Sequence, residues 1–426
     1  MQTLTKFSSP YNWLSSSNLP LKKSDRIQIH DLTLDPDAEE MAGVTISGNN
    51  KIAIASALSE LGVDRLAILG NSPMATEAQI SSAKKLIGLD LPVRLDGLFK
   101  TIEEIKLAKE IGLWGVEILV GVNDRLLTSG NGRHHILERC KSLTGYAKEL
   151  GLHTCLFGVD ATRTSEDFLE EVVTTLESYY DEFTIADSSG TISPYGLQYL
   201  TERVGTWTKK PLKVHLHNHT SMAIANALAA VVGGVETIQT TVNGVGELTG
   251  LVPLEEFAVA SEMHLGVSTG LELSGLHELS RLVSDATGLS TNINKPVVGE
   301  GAFAIPETEE IQQYFWELHQ DGRLEEAFCY PPRLVGNTFK MSIGARCNTF
   351  TILYNLSEKD FTRRRMDMEN DATAAPSTTS ASTTGPSPPP RWRRCTNWKN
   401  PRKCALPWFP ERVVRTTTPS PSLEMN

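Results

Sequence analysis

The chain has 426 residues, 40% of them hydrophobic and 21% charged, with a formal net charge of −11. Such a chain is globular and long enough for a large core. Its negative balance excludes nucleic acid as the main partner of the folded body, and no apolar run nears the roughly 20 residues that span a bilayer.

Residues 1–24 are rich in Ser, Leu and Lys and read as a disordered lead-in. They lack the apolar stretch of a secretory signal. Pro10, Pro20 and the absence of arginine count against a mitochondrial presequence, so a cytoplasmic protein is expected, with a mitochondrial location the alternative. From Ile27 to about Met263 one theme repeats: short apolar runs at 27–34, 64–69, 91–95, 115–120, 152–159, 182–187, 212–217 and 235–242. Between them lie segments of helical periodicity, among them 50–61, 102–111, 136–150 and 167–179. Gly62, Gly112, Gly151 and Gly233-Gly234 stand where left-handed helix ends need glycine. Strands alternating with helices of 10–15 residues imply parallel βαβ units, and about eight of them close a (βα)₈ TIM barrel over 25–265. A doubly wound open sheet is the rival, but no GxGxxG follows the first strand.

Residues 266–365 read as a small helical subdomain, with helices at 271–287 and 307–324 and a strand near 349–354. Beyond it, 366–426 is a Ser/Thr/Pro-rich basic tail whose composition cannot offset its ordering entropy. Its segment 391–415 interleaves Trp392, Trp398 and Trp408 with basic residues and is expected to be disordered rather than a binding element. The six cysteines (140, 155, 329, 347, 395 and 404) lack zinc-ribbon spacing and read as free thiols.

The chemistry concentrates in Val214-His215-Leu216-His217-Asn218-His219. Alternate residues of a strand share a face, so His215 and His217 project together as half of a divalent-metal site. In a barrel, functional groups gather at the carboxyl ends of the strands. There the sequence places Asp31, Asp160 with Arg163, Asp187 with Ser188, and the loop Asn243-Gly244-Val245-Gly246-Glu247. Asp31 with the two histidines makes one carboxylate and two imidazoles, a set with open positions for substrate oxygens. Glu117 and Arg94, on the fourth and third strands, are further candidates to line the cavity.

Four collinear stretches, Asp31-x-Thr33-Leu34, His215-x-His217-Asn218, Asn243-Gly-x-Gly-Glu247 and Asn294-Lys-Pro-Val-Val-Gly299-Glu300, resemble the isopropylmalate, homocitrate and citramalate synthases. These are barrel metallolyases that also include HMG-CoA lyase, with a pyruvate-carboxyltransferase-like catalytic domain. The resemblance covers roughly 25–345 and extends to Asp160-Ala161-Thr162-Arg163. It implies a Claisen-type condensation of an acyl-CoA with a 2-oxo acid, giving a 2-hydroxy dicarboxylate and CoA. A divalent metal (Zn²⁺, Mg²⁺ or Mn²⁺) is implied at Asp31, His215 and His217. Catalytic roles fall on Asp160, Arg163 and Asp187, and substrate contacts on Ser188, Asn243, Gly244, Gly246, Glu117 and Arg94. A homodimer is implied, with no membrane or nucleic-acid partner. The leucine-sensing domain of such synthases has no counterpart in 366–426.

The chain departs from that pattern at informative places. Asp35 stands where relatives have an arginine that would stabilise enolate charge, and Val159 where many have a glutamate. His219, Ser221 and Leu248 replace an aspartate, a glycine and an arginine. Ile305-Pro306-Glu307-Thr308-Glu309-Glu310 replaces a histidine-bearing stretch. The alternatives are therefore a related lyase or aldolase acting on a modified substrate, or a catalytically degenerate metal-binding homologue. The position of Arg163, Arg94 or Arg125 relative to Asp31 distinguishes an altered enzyme from such a homologue.

Overall fold

The eight apolar runs become eight strands: β1 (Gln28–Asp31), β2 (Arg65–Gly70), β3 (Arg94–Phe99), β4 (Gly115–Gly121), β5 (His153–Val159), β6 (Glu182–Asp187), β7 (Leu212–Leu216) and β8 (Thr237–Thr240). All neighbours pair in parallel and β1 also pairs with β8, so the sheet is a closed barrel in chain order. This is a computed structural model describing Ser9, 26–34, Met41, 43–70, 75–124, 132–344 and 346–358. The lead-in, Asp35, Arg125 and the tail, including Trp392, Trp398 and Trp408, lie outside the described residues.

Around the barrel run α1 (Gly48–Leu61), α2 (Glu77–Ile87), α3 (Ile102–Ile111), α4 (Gly132–Glu149), α5 (Glu166–Thr175), α6 (Pro194–Trp207), α7 (Ala223–Val232) and α8 (Leu254–Ala260). Their starts follow local chemistry. Ser47 accepts the Asn50 N–H at 3.2 Å, and Thr76 and Thr101 form reciprocal capping boxes with Gln79 and Glu104. Gly62 and Gly112 end their helices at φ 97° and 92°, as the sequence predicts. One apolar core fills the layer between strands and helices, from Ile29 and Leu66 on the strands to Ile54, Ile105 and Val172 on the helices.

After α8 comes α9 (Leu276–Thr287), which packs against α1 and so continues the helical layer past the expected boundary at 265. The accessory helices are α10 (Glu309–Gln320) and α11 (Thr349–Glu358). They share a small core of Ile305, Leu318, Leu324, Met341 and Tyr354. The strand expected near 349–354 is the helix α11. The β-branched and aromatic run favours a strand locally, but helical spacing puts Thr351 and Tyr354 together on the face that this core buries.

Among the described residues no helix is long and apolar enough to cross a membrane. Cys140, Cys155, Cys329 and Cys347 are free thiols, and burial pushes the Cys140 thiol up to about 12.

Candidate active site

Barrels of this topology usually fill their interior with branched apolar side chains. Here alternate strand positions carry polar groups inward instead. At the amino-terminal end, Arg65 donates two bonds to Glu182, at 2.6 and 3.3 Å. The Lys213 ammonium lies 2.8 Å from Glu182 and also bonds Glu117. His30 bridges Asp96, at 2.9 Å from Nε2, and Glu117, at 3.2 Å from Nδ1. Burial alone would lower the His30 pKa, but Asp96 and Glu117 outweigh it and raise it. Arg65, Lys213 and His30 thus face three carboxyl groups. Burial would raise the carboxyl of Glu182, yet Lys213 and Arg65 hold it at about 2.

Two sets of donors among the described residues lie within 4.8 Å of one another: His30, Asp96 and Glu117, and Glu117, Cys155 and Glu182. Neither makes a good metal centre, because the Lys213 ammonium already sits among them as the cation.

From this ionic floor the network climbs to the histidine pair. Gln239 donates from Nε2 to Glu117 at 2.8 Å, and its Oε1 lies 3.0 Å from His215 Nδ1. His215 Nε2 lies 3.2 Å from His217 Nε2. Burial, then the neighbouring His217, push the His215 pKa down to about 3, and burial lowers that of His217. Both rings are therefore neutral at pH 7, with two ring nitrogens converging on one point. His217 Nδ1 is buried without a hydrogen-bond partner. Beside the pair a separate apolar cluster of Leu32, Ala67, Leu98, Leu119, Phe157 and Ala186 lines the barrel, with Val159 against it. Phe157 meets His215 edge-on, ring centroids 5.1 Å apart. The family's glutamate position is thus part of an apolar wall.

Asp31 does not join the pair. Its neighbour His30 is the β1 residue that faces inward, in register with Gln239, and Asp31 pairs with Thr240 on the opposite side of the strands. Its carboxylate accepts the Thr33 N–H at 3.0 Å and the Thr240 hydroxyl at 3.2 Å, and burial pushes its pKa up to about 6. Among the described residues, the carboxylate that reaches the histidines is instead Glu247, with Oε1 3.6 Å from His217 Nε2.

The other expected residues separate into groups. Asp160, in a left-handed conformation at φ 62°, is held by both Nε and Nη2 of Arg163, at 2.8 and 2.7 Å, and by Asn123 at 2.6 Å. Its N–H donates to Ser188 Oγ at 2.9 Å. Asp187 accepts from Thr162 at 2.8 Å and from the Thr191 N–H at 3.2 Å, tying the loops after β5 and β6 together. Asn243 turns its side chain to α9, donating to the Ser280 carbonyl at 2.9 Å and accepting from the Ser280 hydroxyl. A Cβ on Gly244 would come within 2.9 Å of Pro253, and one on Gly246 within 3.1 Å of Leu251. Those glycines therefore serve close packing on the 251–253 segment. Glu117 belongs to the ionic floor. Arg94 corrects an expectation: it opens β3 at the amino-terminal end of the barrel, the end opposite the histidines, stacked 4.9 Å from the Trp114 ring. His219 is exposed, its ring 6.0 Å from that of His217.

Lys213, Gln239, His30 and Glu182 were not singled out from the sequence. A signal was present, since Lys213, His215 and His217 fall on one strand face by the same period of two.

A closed parallel barrel with polar groups gathered at the carboxyl ends of its strands defines the (βα)₈ class that holds its ligands on that face. Within this class the chain belongs to the HMGL-like family, whose match runs from residue 26 to 283. It is similar to the homocitrate synthase AksA of Methanothermobacter thermautotrophicus, 32% identical over 359 residues that cover 83% of this chain and 88% of that one. It is also 32% identical over 352 residues to a 2-isopropylmalate synthase of Methanocaldococcus jannaschii, covering 81% of this chain and 65% of that one. The hydroxymethylglutaryl-CoA lyase of Pseudomonas aeruginosa shares the fold, with a TM-score of 0.56 at 18% identity over 63% of this chain and 95% of that one.

Proposed function

We propose that this chain condenses an acyl-CoA with a 2-oxo acid, forming a 2-hydroxy dicarboxylate and releasing CoA. The carrying observation is the 32% identity to a homocitrate synthase along nearly its whole length. The inward pair His215–His217 at the carboxyl end of β7 supports the reading.

Two neutral imidazoles with Nε2 atoms 3.2 Å apart share a hydrogen bond when one carries its proton on Nε2, and with both Nε2 atoms bare they are placed to share a cation. They fit a divalent metal as two of its ligands, with the Glu247 carboxylate 3.6 Å from His217 Nε2. Such a metal, when bound, polarises the keto group of the 2-oxo acid. The Ser188 hydroxyl, having accepted the Asp160 N–H, keeps its own hydrogen to donate to the oxo acid's carboxylate. Leu119, Phe157 and Val159 close one side of the site to water. Glu247, partly exposed beside His217, takes a proton from the acyl methyl group in this reading. The resulting carbanion then bonds to the keto carbon, whose π electrons pass to the keto oxygen; that oxygen takes the proton back from Glu247 to become the 2-hydroxy group, and water cleaves the thioester to a carboxylate and free CoA.

Purified protein is incubated with acetyl-CoA, a panel of 2-oxo acids and Mn²⁺, Mg²⁺ or Zn²⁺, and free CoA is followed with a thiol reagent. Metal-dependent release with at least one oxo acid, lost in His217→Ala, is expected. Folded protein that releases no CoA with any of them overturns the proposal.

A further inference from the structure

Gln239 stands between the ionic floor and the histidine pair, and its two faces are not interchangeable. An amide has one accepting and one donating end. An ionised carboxylate only accepts, so Glu117 Oε2, at 2.8 Å, must meet the Gln239 NH₂ group. That leaves Oε1 facing His215 Nδ1 at 3.0 Å, where only a protonated Nδ1 makes a hydrogen bond. The flipped amide would set oxygen against oxygen on one side. Glu117 itself is anchored by Lys213 and His30, and Gln239, Glu117, Lys213 and His30 are all buried, so water does not relax the constraint.

We propose that Gln239 is a positioning residue that fixes His215 as the Nδ1–H tautomer, with the amide orientation dictated by Glu117. The consequence is an unprotonated Nε2 on His215, aimed at His217 Nε2 before any ligand arrives. The inference deepens the proposed function, because it rests on the pair serving as a metal-binding element. The tautomer itself, however, is a property of the metal-free protein. Partners of ligating imidazoles of this kind change metal affinity 10–100-fold.

The test uses the full chain labelled with [¹⁵N]histidine and freed of metal, its two-bond ¹H–¹⁵N correlations read at pH 7.5. The His215 signals are identified by their loss in His215→Gln and by contacts to the Phe157 ring, which lies against it. A protonated Nδ1 and a bare Nε2 are expected in the wild type. A wild-type His215 protonated on Nε2 overturns the proposal with no variant needed. Gln239→Leu removes the acceptor and is expected to shift His215 toward the Nε2–H form and to weaken Mn²⁺ binding about tenfold by calorimetry. The exchange Gln239→Glu with Glu117→Gln restores an amide–carboxylate contact with the roles reversed and returns the Nδ1–H form. An unchanged tautomer in Gln239→Leu refutes the assignment even if Mn²⁺ binds well. A wild type that shows the expected tautomer but takes up no Mn²⁺ supports the assignment and defeats the metal reading alone.

Discussion

Lys213→Met removes the ammonium from the barrel interior while keeping an unbranched side chain of similar length. The variant therefore tests charge rather than volume. Lys213 is fully buried, its Nζ 2.8 Å from Glu182 and bonded to Glu117. At about 3 Å and an effective dielectric near 20, each such contact is worth about 5 kcal/mol before desolvation. Taking the ammonium out of water on folding had cost several kcal/mol, which Lys213→Met no longer incurs and which offsets part of the loss. Glu182 keeps Arg65 at 2.6 Å, and Glu117 keeps Gln239 and His30. The net loss expected is about 3–5 kcal/mol, the range for a buried ion stripped of its partner. Urea unfolding followed by circular dichroism and by tryptophan fluorescence measures it, with coincident curves required before a free energy is quoted. Lys213→Met combined with Glu117→Gln removes an anion along with the cation and should recover at least ~1 kcal/mol of the loss. A single variant that loses less than ~1 kcal/mol, or a double variant less stable than the single, would show that the ions are not balanced as described.

Asp31→Asn should leave Mn²⁺ affinity within about twofold, since Asp31 bonds Thr33 and Thr240 on the strand face opposite the histidines. A loss of tenfold or more in calorimetry returns Asp31 to the ligand set. Glu182 links stability to acid. Its folded pKa of about 2 lies below the ordinary 4.5, so its contribution of about 3 kcal/mol is present above pH 4.5 and is lost as pH falls toward 2. Glu182→Gln should therefore be less stable than wild type at pH 7 and converge on it between pH 4.5 and 2; melting curves that stay parallel down to the lowest pH refute this. Gly233→Ala should cost about 1–3 kcal/mol by thermal melting, because its Cβ would collide with the buried Thr201 hydroxyl on α6. A neutral result would mean that α6 and α7 separate more easily than their packing implies.

The barrel was legible because each βαβ unit carries its own signals: an apolar run, a periodic helix and a glycine stop. Gly62 and Gly112 sit where their left-handed angles are needed. The third strand begins later than the run 91–95, at Arg94, because Pro92 cannot donate to the ladder. The histidine pair was legible because a period of two is local. Asp31 was misplaced for a related reason. Motif reading finds the residue at a strand end but does not choose which of two neighbours turns inward, and His30 holds that position. Asn243 and Arg163 stand where expected along the chain, yet their partners Ser280 and Asp160 absorb their polar atoms. Those partnerships depend on contacts that no local pattern encodes. Asp35 and Arg125 fall outside the described residues.

The ionic interior also bears on how the chain finds its fold. Lys213, Glu117, Glu182, His30 and Arg65 come from five different strands, and Lys213 and His30 lie 183 residues apart. Their charges stay hydrated until those strands assemble, so the contacts reward barrel closure only late. A slip of β7 by one residue would turn Val214 and Leu216 into the barrel and push the Lys213 ammonium among the apolar helices. That alignment would strand a charge on each side of the sheet. The same groups that floor the site thus act as a register lock: an offset β7 strand is rejected even where its backbone ladder would form equally well.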